Sequence, residues 1–265
     1  MARDGVEIVV AGNPGPLTLD GSRTYIVGPE PCLVIDPGPA LAAHLDAVEV
    51  AVGTAPVAAI CLTHYHPDHA AGAAELRVRI AAPLAATEES AVRAALDRPE
   101  LVIADGDVIP FGGGRLDVIA APGHCPDHVC FYWRERRALF TGDVVVGEGT
   151  SMIAPSEGDM SAYLDTLRRL AALDADIIYP GHGPPVDDPA AKLEEYIEHR
   201  LERESQVVEA LAAGASTPSA IRARVYTGLD PRLHRAAEGS VTAHLEKLVR
   251  EGRVRAAGEG FELER

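Results

Sequence analysis

Val57-Ala58-Ala59-Ile60-Cys61-Leu62 runs directly into Thr63-His64-Tyr65-His66-Pro67-Asp68-His69. Six apolar residues in a row predict a strand buried on both faces. Immediately beyond them, three histidines and an aspartate fall within six positions. In an extended turn, side chains at i and i+2 point the same way, so His64 and His66 can chelate one ion, while Asp68 and His69 turn towards a neighbouring one. Imidazole suits Zn²⁺ and Fe²⁺, and carboxylate also accepts harder ions. A structural zinc site would draw on cysteines and close its coordination sphere. Donors that are all His and Asp point instead to an open, catalytic site.

Further donors follow at the ends of later apolar runs: His124 in Pro122-Gly123-His124, Asp143 in Thr141-Gly142-Asp143, and His182 in Pro180-Gly181-His182. Upstream, Val6–Val10, Arg23–Val27 and Cys32–Ile35 read as short strands separated by Gly/Pro turns. Ala40 to Val52 carries Leu41, Leu45 and Val48 on one helical face. Downstream, Leu101–Ile109, Arg115–Ala120, His128–Trp133 and Ala138–Val146 read as strands. Met160 to Leu173 is an amphipathic helix, and Ile177–Tyr179 a short buried strand. Two β-rich halves, each supplemented by helices, predict an α/β fold: a four-layer αββα sandwich with its ligands on loops at strand ends.

Pro189 to Leu211 reads as one long helix, after which the texture changes. Thr217–Val225 and Ser240–Arg250 read as short helices, the second with Ser240 as N-cap. Val254 to Leu263 alternates around Gly258 and Gly260 as a small hairpin would. Helix, helix, hairpin is the outline of a small C-terminal winged-helix domain. Residues 205–265 hold nine basic and eight acidic residues, against 15 and 32 before them. That shift places a boundary near residue 205, giving a catalytic domain over 1–204 and a winged-helix domain over 205–265.

The 265 residues carry 40 acidic and 24 basic side chains, a formal charge of −16. Such a surface favours solubility and argues against non-specific polyanion binding, although bound cations would reverse its sign locally. The Val50–Leu62 stretch is interrupted by Gly53 and Pro56 and falls short of the roughly 20 apolar residues that span a bilayer. Met1-Ala2-Arg3-Asp4-Gly5 has no basic and apolar pattern of a secretory signal. The four cysteines (Cys32, Cys61, Cys125, Cys130) show neither CxxC nor disulfide-scaffold spacing. A cytoplasmic protein with reduced thiols and no membrane partner is expected.

Together, HxHxDH, His124, Asp143 and His182 resemble the metallo-β-lactamase superfamily over essentially the whole chain to residue 204. The resemblance implies His64, His66 and His124 on one metal, Asp68, His69 and His182 on a second, and Asp143 bridging both. It implies two divalent ions, Zn²⁺ first with Mn²⁺ or Fe²⁺ fitting the same ligands. Two cations about 3.5–4 Å apart share a water and yield a bridging hydroxide near neutral pH. Asp68 would serve as its proton acceptor beside the bridging Asp143. Zinc β-lactamases of the superfamily use a Cys as a second-site ligand where this chain has Asp143, which argues against antibiotic hydrolysis. Cys125 lies off the ligand pattern and reads as a buried thiol.

The segments Val144–Thr150, Asp176–Pro184 and Tyr196–Glu204, with the winged-helix tail, resemble the beta-lactamase-like protein 2 branch. That resemblance implies an endoribonuclease acting on single-stranded RNA. The same branch resembles fungal thioesterases, so the alternative is an acyl hydrolase acting on acyl-carrier, acyl-CoA or glutathione thioesters. A third reading, a DNA-binding regulator, would make Ser240–Arg250 the recognition helix. With only Lys247 and Arg250 as cations there, duplex DNA is disfavoured. A homodimer contact is one use for the tail. Arg200 and Arg203, at i and i+3, share a helix face and are candidates to grip a substrate phosphate or carboxylate, or to pair with Glu198 and Glu204. His128 is a candidate to orient a ligand imidazole.

Overall fold

A computed structural model describes residues 5–264. They divide into two compact units that interleave along the chain: 5–121, 127–151 and 173–190 in the first, 122–126, 152–172 and 191–264 in the second.

In the first unit, β1 (Val6–Val10), β2 (Arg23–Val27), β3 (Cys32–Ile35), α1 (Ala42–Val52), β4 (Val57–Cys61), α2 (Pro67–Ala70), α3 (Ala73–Arg79), β5 (Leu84–Ala86), α4 (Glu88–Arg93) and β6 (Leu101–Val102) follow in order. The six strands form one sheet in sequence order, antiparallel from β1 to β3 and parallel from β3 to β6. Then β7 (Val108–Phe111), β8 (Gly114–Ala120), β9 (Val129–Trp133), β10 (Ala138–Gly142) and β11 (Ile177–Pro180) build a second sheet of order β11-β10-β9-β8-β7, with only β10 and β11 parallel.

The period-two alternation of side chains sorts strands β1 to β5 of the first sheet between two cores. Leu33, Ile35, Ala59 and Cys61 pack with Phe131, Trp133, Phe140 and Tyr179 of the second sheet. Their alternates Cys32, Val34, Ile60 and Leu62 pack with Leu45, Val48 and Leu76 of α1 and α3. The continuous apolar runs are thus strands whose two faces serve two different layers.

The second unit holds α5 (Met160–Ala171), α6 (Pro189–Ala212), α7 (Pro218–Val225), α8 (His234–Arg250) and the hairpin β12 (Val254–Ala257), β13 (Gly260–Leu263). Val207, Leu211, Ile221, Val241, Leu245, Leu248 and Val254 form its core. Asp159 caps α5 by accepting from Ser161 N and Ala162 N. Thr217 caps α7 by accepting from Ala220 N.

Four expectations change. Leu101–Ile109 is two strands, β6 and β7, in different sheets. Strand β10 ends at Gly142 rather than Val146, because Gly142 takes a left-handed φ of 46° and Val144 N donates to Thr141 O in a turn. Helix α8 begins at His234, and Ser240 is a buried mid-helix residue instead of its cap. The short elements α2 to α4 and β5, unread in the sequence, fill residues 67–93. Residue 205, where the charge balance shifts, lies inside α6. None of the described helices is long and apolar enough to cross a membrane.

Candidate metal centre

Parallel strands β3 and β4 end side by side, Ile35 opposite Cys61, which sets Asp36 against the start of the histidine loop. Asp36 is 2% exposed with a φ of 50°, a conformation Asp tolerates better than most residues. Its carboxylate accepts from Thr63 N at 2.8 Å, Thr63 Oγ1 at 2.7 Å and His69 Nδ1 at 2.9 Å. In the second sheet, the parallel pair β10–β11 carries Asp143 and His182 just past its strand ends, and Gly181 N donates to Gly142 O at 2.9 Å.

One ligand atom from each of His64, His66, His124 and Asp143 lies within 4.8 Å of the others, and the same is true of Asp68, His69 and His182. The seven residues singled out in the sequence are therefore gathered into two donor groups, with Asp143 in the first. Cys125 is fully buried and belongs to neither.

The hydrogen bonds settle which imidazole nitrogens are left to coordinate. Thr63 Oγ1 donates to Asp36, so it accepts from His64 Nδ1–H at 3.0 Å, and Nε2 keeps its lone pair. His69 Nδ1–H donates to Asp36, again leaving Nε2. His124 Nδ1–H donates to Met152 O at 2.8 Å, with the same result. These assignments follow from the hydrogen-bond network, since the acceptors can play no other part.

The spacing fits a cation. Tetrahedral bonds of about 2.0–2.2 Å place ligand atoms about 3.3–3.6 Å apart. His69 Nε2 and His182 Nε2 are 3.2 Å apart. Asp68 Oδ2 lies 3.6 Å from the first and 3.2 Å from the second. Asp143 Oδ1 lies 3.2 and 3.3 Å from the same pair. In the other group, His64 Nε2 faces His66 Nδ1 at 3.0 Å. Lone pairs converging at these distances repel unless a proton or a cation sits among them.

Charge tells the same story. Burial would raise the Asp143 carboxyl, but His69 and His182 hold it well below the ordinary carboxylate range. Asp68, also penalised by burial, is brought down to about 2 by His182 and His69. Against their own burial, His69 is raised well above 6.5 by Asp143 and Asp36, and His182 to about 9 by Asp143 and Asp68. The carboxylates require positive charge here, and imidazolium protons or divalent cations can supply it.

Backbone clearance is equally tight. A Cβ at Gly181 would lie 2.5 Å from His69 Cε1 and 2.8 Å from Asp143 Oδ1. One at Gly142, whose φ already disfavours other residues, would lie 2.6 Å from Thr63 Oγ1 and 2.8 Å from His128 Nε2.

His128 is buried, stacks on His64 with centroids 4.6 Å apart, and accepts from Asp143 N at 3.1 Å. It orients the donor groups rather than facing solvent. Sequence reading missed Asp36, Thr63, Ser22 and Asp127. Ser22 Oγ donates to Asp68 at 3.3 Å, and Asp127 accepts from Tyr65 N at 3.0 Å. The available signal was weak: a polar residue straight after an apolar run, as in Ile35-Asp36. Arg200 is 2% exposed, with its guanidinium over the Tyr163 ring. Arg203 lies over Tyr226 and donates to Gln206, while Glu204 pairs with Lys247 and Arg253.

The metallo-beta-lactamase superfamily profile matches residues 17–182, and a beta-lactamase associated winged helix domain matches 217–262. A beta-lactamase-like protein 2 homolog of Caenorhabditis elegans is 33% identical over 259 residues, covering 94% of this chain and 85% of its own. An atrochrysone carboxyl ACP thioesterase of Aspergillus chevalieri is 36% identical over 206 residues, 77% of this chain and 64% of its own. Among solved structures, a beta-lactamase domain protein from Burkholderia ambifaria superposes with a TM-score of 0.88 at 20% identity, over 100% of this chain and 93% of its own. A metallo-beta-lactamase family protein from Thermus thermophilus gives 0.81 at 22%, over 98% and 99%. The chain belongs to the metallo-beta-lactamase superfamily and is a metal-dependent hydrolase with a C-terminal winged-helix domain.

Proposed function

We propose that this hydrolase is a dinuclear phosphodiesterase that cuts single-stranded RNA. His64, His66 and His124 would hold one divalent ion and Asp68, His69 and His182 the other, with Asp143 as the donor shared between them. Zn²⁺ is the first choice, with Mn²⁺ or Fe²⁺ compatible with the same donors. When bound, such ions lower the pKa of a shared water and stabilise negative charge developing on the substrate.

The protein's own contribution is orientation. Asp36 holds His69 and, through Thr63, His64. His128 holds the backbone of Asp143. Asp68 is the carboxylate most open to solvent, with 28% side-chain exposure against 14% for Asp143 and 3% for Asp36. It is the group placed to take a proton during the reaction, and Ser22 steadies it.

The observation that carries the RNA reading is likeness to a beta-lactamase-like protein 2 homolog along 94% of the chain, winged helix included. A second reading, thioester hydrolysis, is supported by the named Aspergillus thioesterase, whose match stops at 77% of the chain. The test is a substrate panel of single-stranded RNA, duplex RNA and acyl-CoA, acyl-carrier and glutathione thioesters, with metal-loaded protein and an Asp143→Ala control. Cleavage of unstructured RNA that the control lacks is expected. RNA left intact beside rapid thioester turnover overturns the first reading in favour of the second.

A further inference from the structure

One cation stands beside the histidine loop without a part in the donor groups. Arg93 is the last residue of α4, and its guanidinium carbon lies 5.2 Å from the centroid of the Tyr65 ring. Tyr65 sits between His64 and His66, with its ring centroid 4.7 Å from that of His66. The arrangement is built, not incidental. One oxygen of the buried Asp127 carboxylate accepts from both Tyr65 N at 3.0 Å and Ser90 Oγ at 2.5 Å, tying α4 to the histidine loop. Thr87 caps the helix by accepting from Ser90 N.

Arg93 Nε donates to Glu89 Oε1 at 2.8 Å, one helical turn back, which aims the guanidinium. Among the described residues its two Nη groups take no hydrogen-bond partner, and its side chain is 37% exposed. Planar N–H pairs of this kind match the two oxygens of a phosphate. A guanidinium layered on an aromatic ring also offers an extended π surface, on which an unstacked base can rest. Tyr65, half-buried between two donor histidines, supplies the ring.

We infer that Arg93 and Tyr65 anchor the substrate: the Nη edge takes a phosphate flanking the scissile bond, and the layered surface supports the adjoining base. This rests on the single-stranded RNA reading. Glu89 offsets part of the charge, so recognition comes from the directed N–H pair more than from net potential.

The experiment measures fluorescence anisotropy of a 2′-O-methyl oligonucleotide, together with kcat and KM on cleavable RNA, for the metal-loaded chain. Arg93→Ala should weaken oligonucleotide binding and raise KM about tenfold, with kcat little changed. It should also reduce the slope of log affinity against log salt by about one. Arg93→Lys keeps the charge without the fork and should recover only part of the loss. Tyr65→Ala should weaken binding about tenfold as well, and Tyr65→Phe should restore it. Metal content and circular dichroism should match the parent chain for every variant. Tight binding and cleavage by the parent chain with Arg93→Ala unchanged overturns this anchor alone. Failure of the parent chain to bind or cut RNA overturns the RNA reading and the anchor with it.

Discussion

Two regions of this molecule bury charge, and they solve the problem in opposite ways. At the strand ends of the first unit, Asp36, Asp68 and Asp143 meet histidines whose remaining lone pairs converge at 3.0 to 3.6 Å. Acceptors are in excess. In the second unit, the Glu204 carboxylate, 6% exposed, accepts from Lys247 Nζ and Arg253 Nη1, both at 2.7 Å, and Lys247 also reaches Glu251 at 2.7 Å. Here each anion faces a side-chain cation of the same chain. A cluster that compensates itself is structural, whereas one with surplus acceptors needs a partner from outside. Perturbed ionisation alone would not have separated them, since Asp68 and Glu204 are both brought down to about 2.

The largest effect should come from breaking the open cluster at its shared donor. Asp143→Ala is expected to lose at least roughly a thousandfold in activity and to bind fewer than two ions, as read by elemental analysis. Retention of two ions at full occupancy would contradict the shared-donor role.

The closed cluster should instead show its weight in stability. Glu204→Ala leaves Lys247 and Arg253 without their carboxylate and is expected to cost roughly 3 kcal/mol in denaturant unfolding, with metal content intact. The pH dependence follows from the sign of its shift. Burial opposes ionisation, but His244, Lys247 and Arg253 lower the Glu204 pKa from 4.5 to about 2. Its contribution is therefore complete above pH 4.5 and fades as pH falls towards 2. Comparing the parent chain with Glu204→Gln over that window should show the stability gap closing. A gap independent of pH would mean the carboxylate is not the stabilising group.

A smaller change should loosen the open cluster without dismantling it. Asp36→Asn keeps the shape but can also present an amide N–H to His69, so the His69 imidazole loses its fixed tautomer. Activity or metal affinity should drop about 10- to 100-fold. At the bottom of the scale, Arg250→Ala removes an exposed pair to Asp159 and should change stability by no more than about 0.2–1 kcal/mol. A larger loss would show that exposed pairs cannot serve as the baseline for Glu204.

Much of this was legible in the residues themselves. The dense HxHxDH run announced metal because no ordinary turn needs three histidines and an aspartate in six positions. The apolar run Val57–Leu62 announced a strand buried on both faces, and Ala59 and Cys61 in one core with Ile60 and Leu62 in the other bear that reading out. The ligand pattern favoured Asp143 over cysteine chemistry, and Cys125, next to His124 in the chain, is a buried thiol. Short elements such as α4 escaped because six residues carry too little periodicity to read. Ser240 looked like a helix cap and is mid-helix, because tertiary packing overrides local propensity.

What the sequence determined by itself was the chemistry: which donors exist, and that they sit just past strand ends. What only the tertiary structure decided was their pairing and their support. Asp36 lies 33 residues from His69, and Asp127 lies 37 from Ser90, so neither contact leaves a local pattern. Parallel pairing of β3 and β4 sets Asp36 against the histidine loop, and hydrogen-bond geometry, which acts over about 3 Å, then fixes which imidazole nitrogen keeps its lone pair.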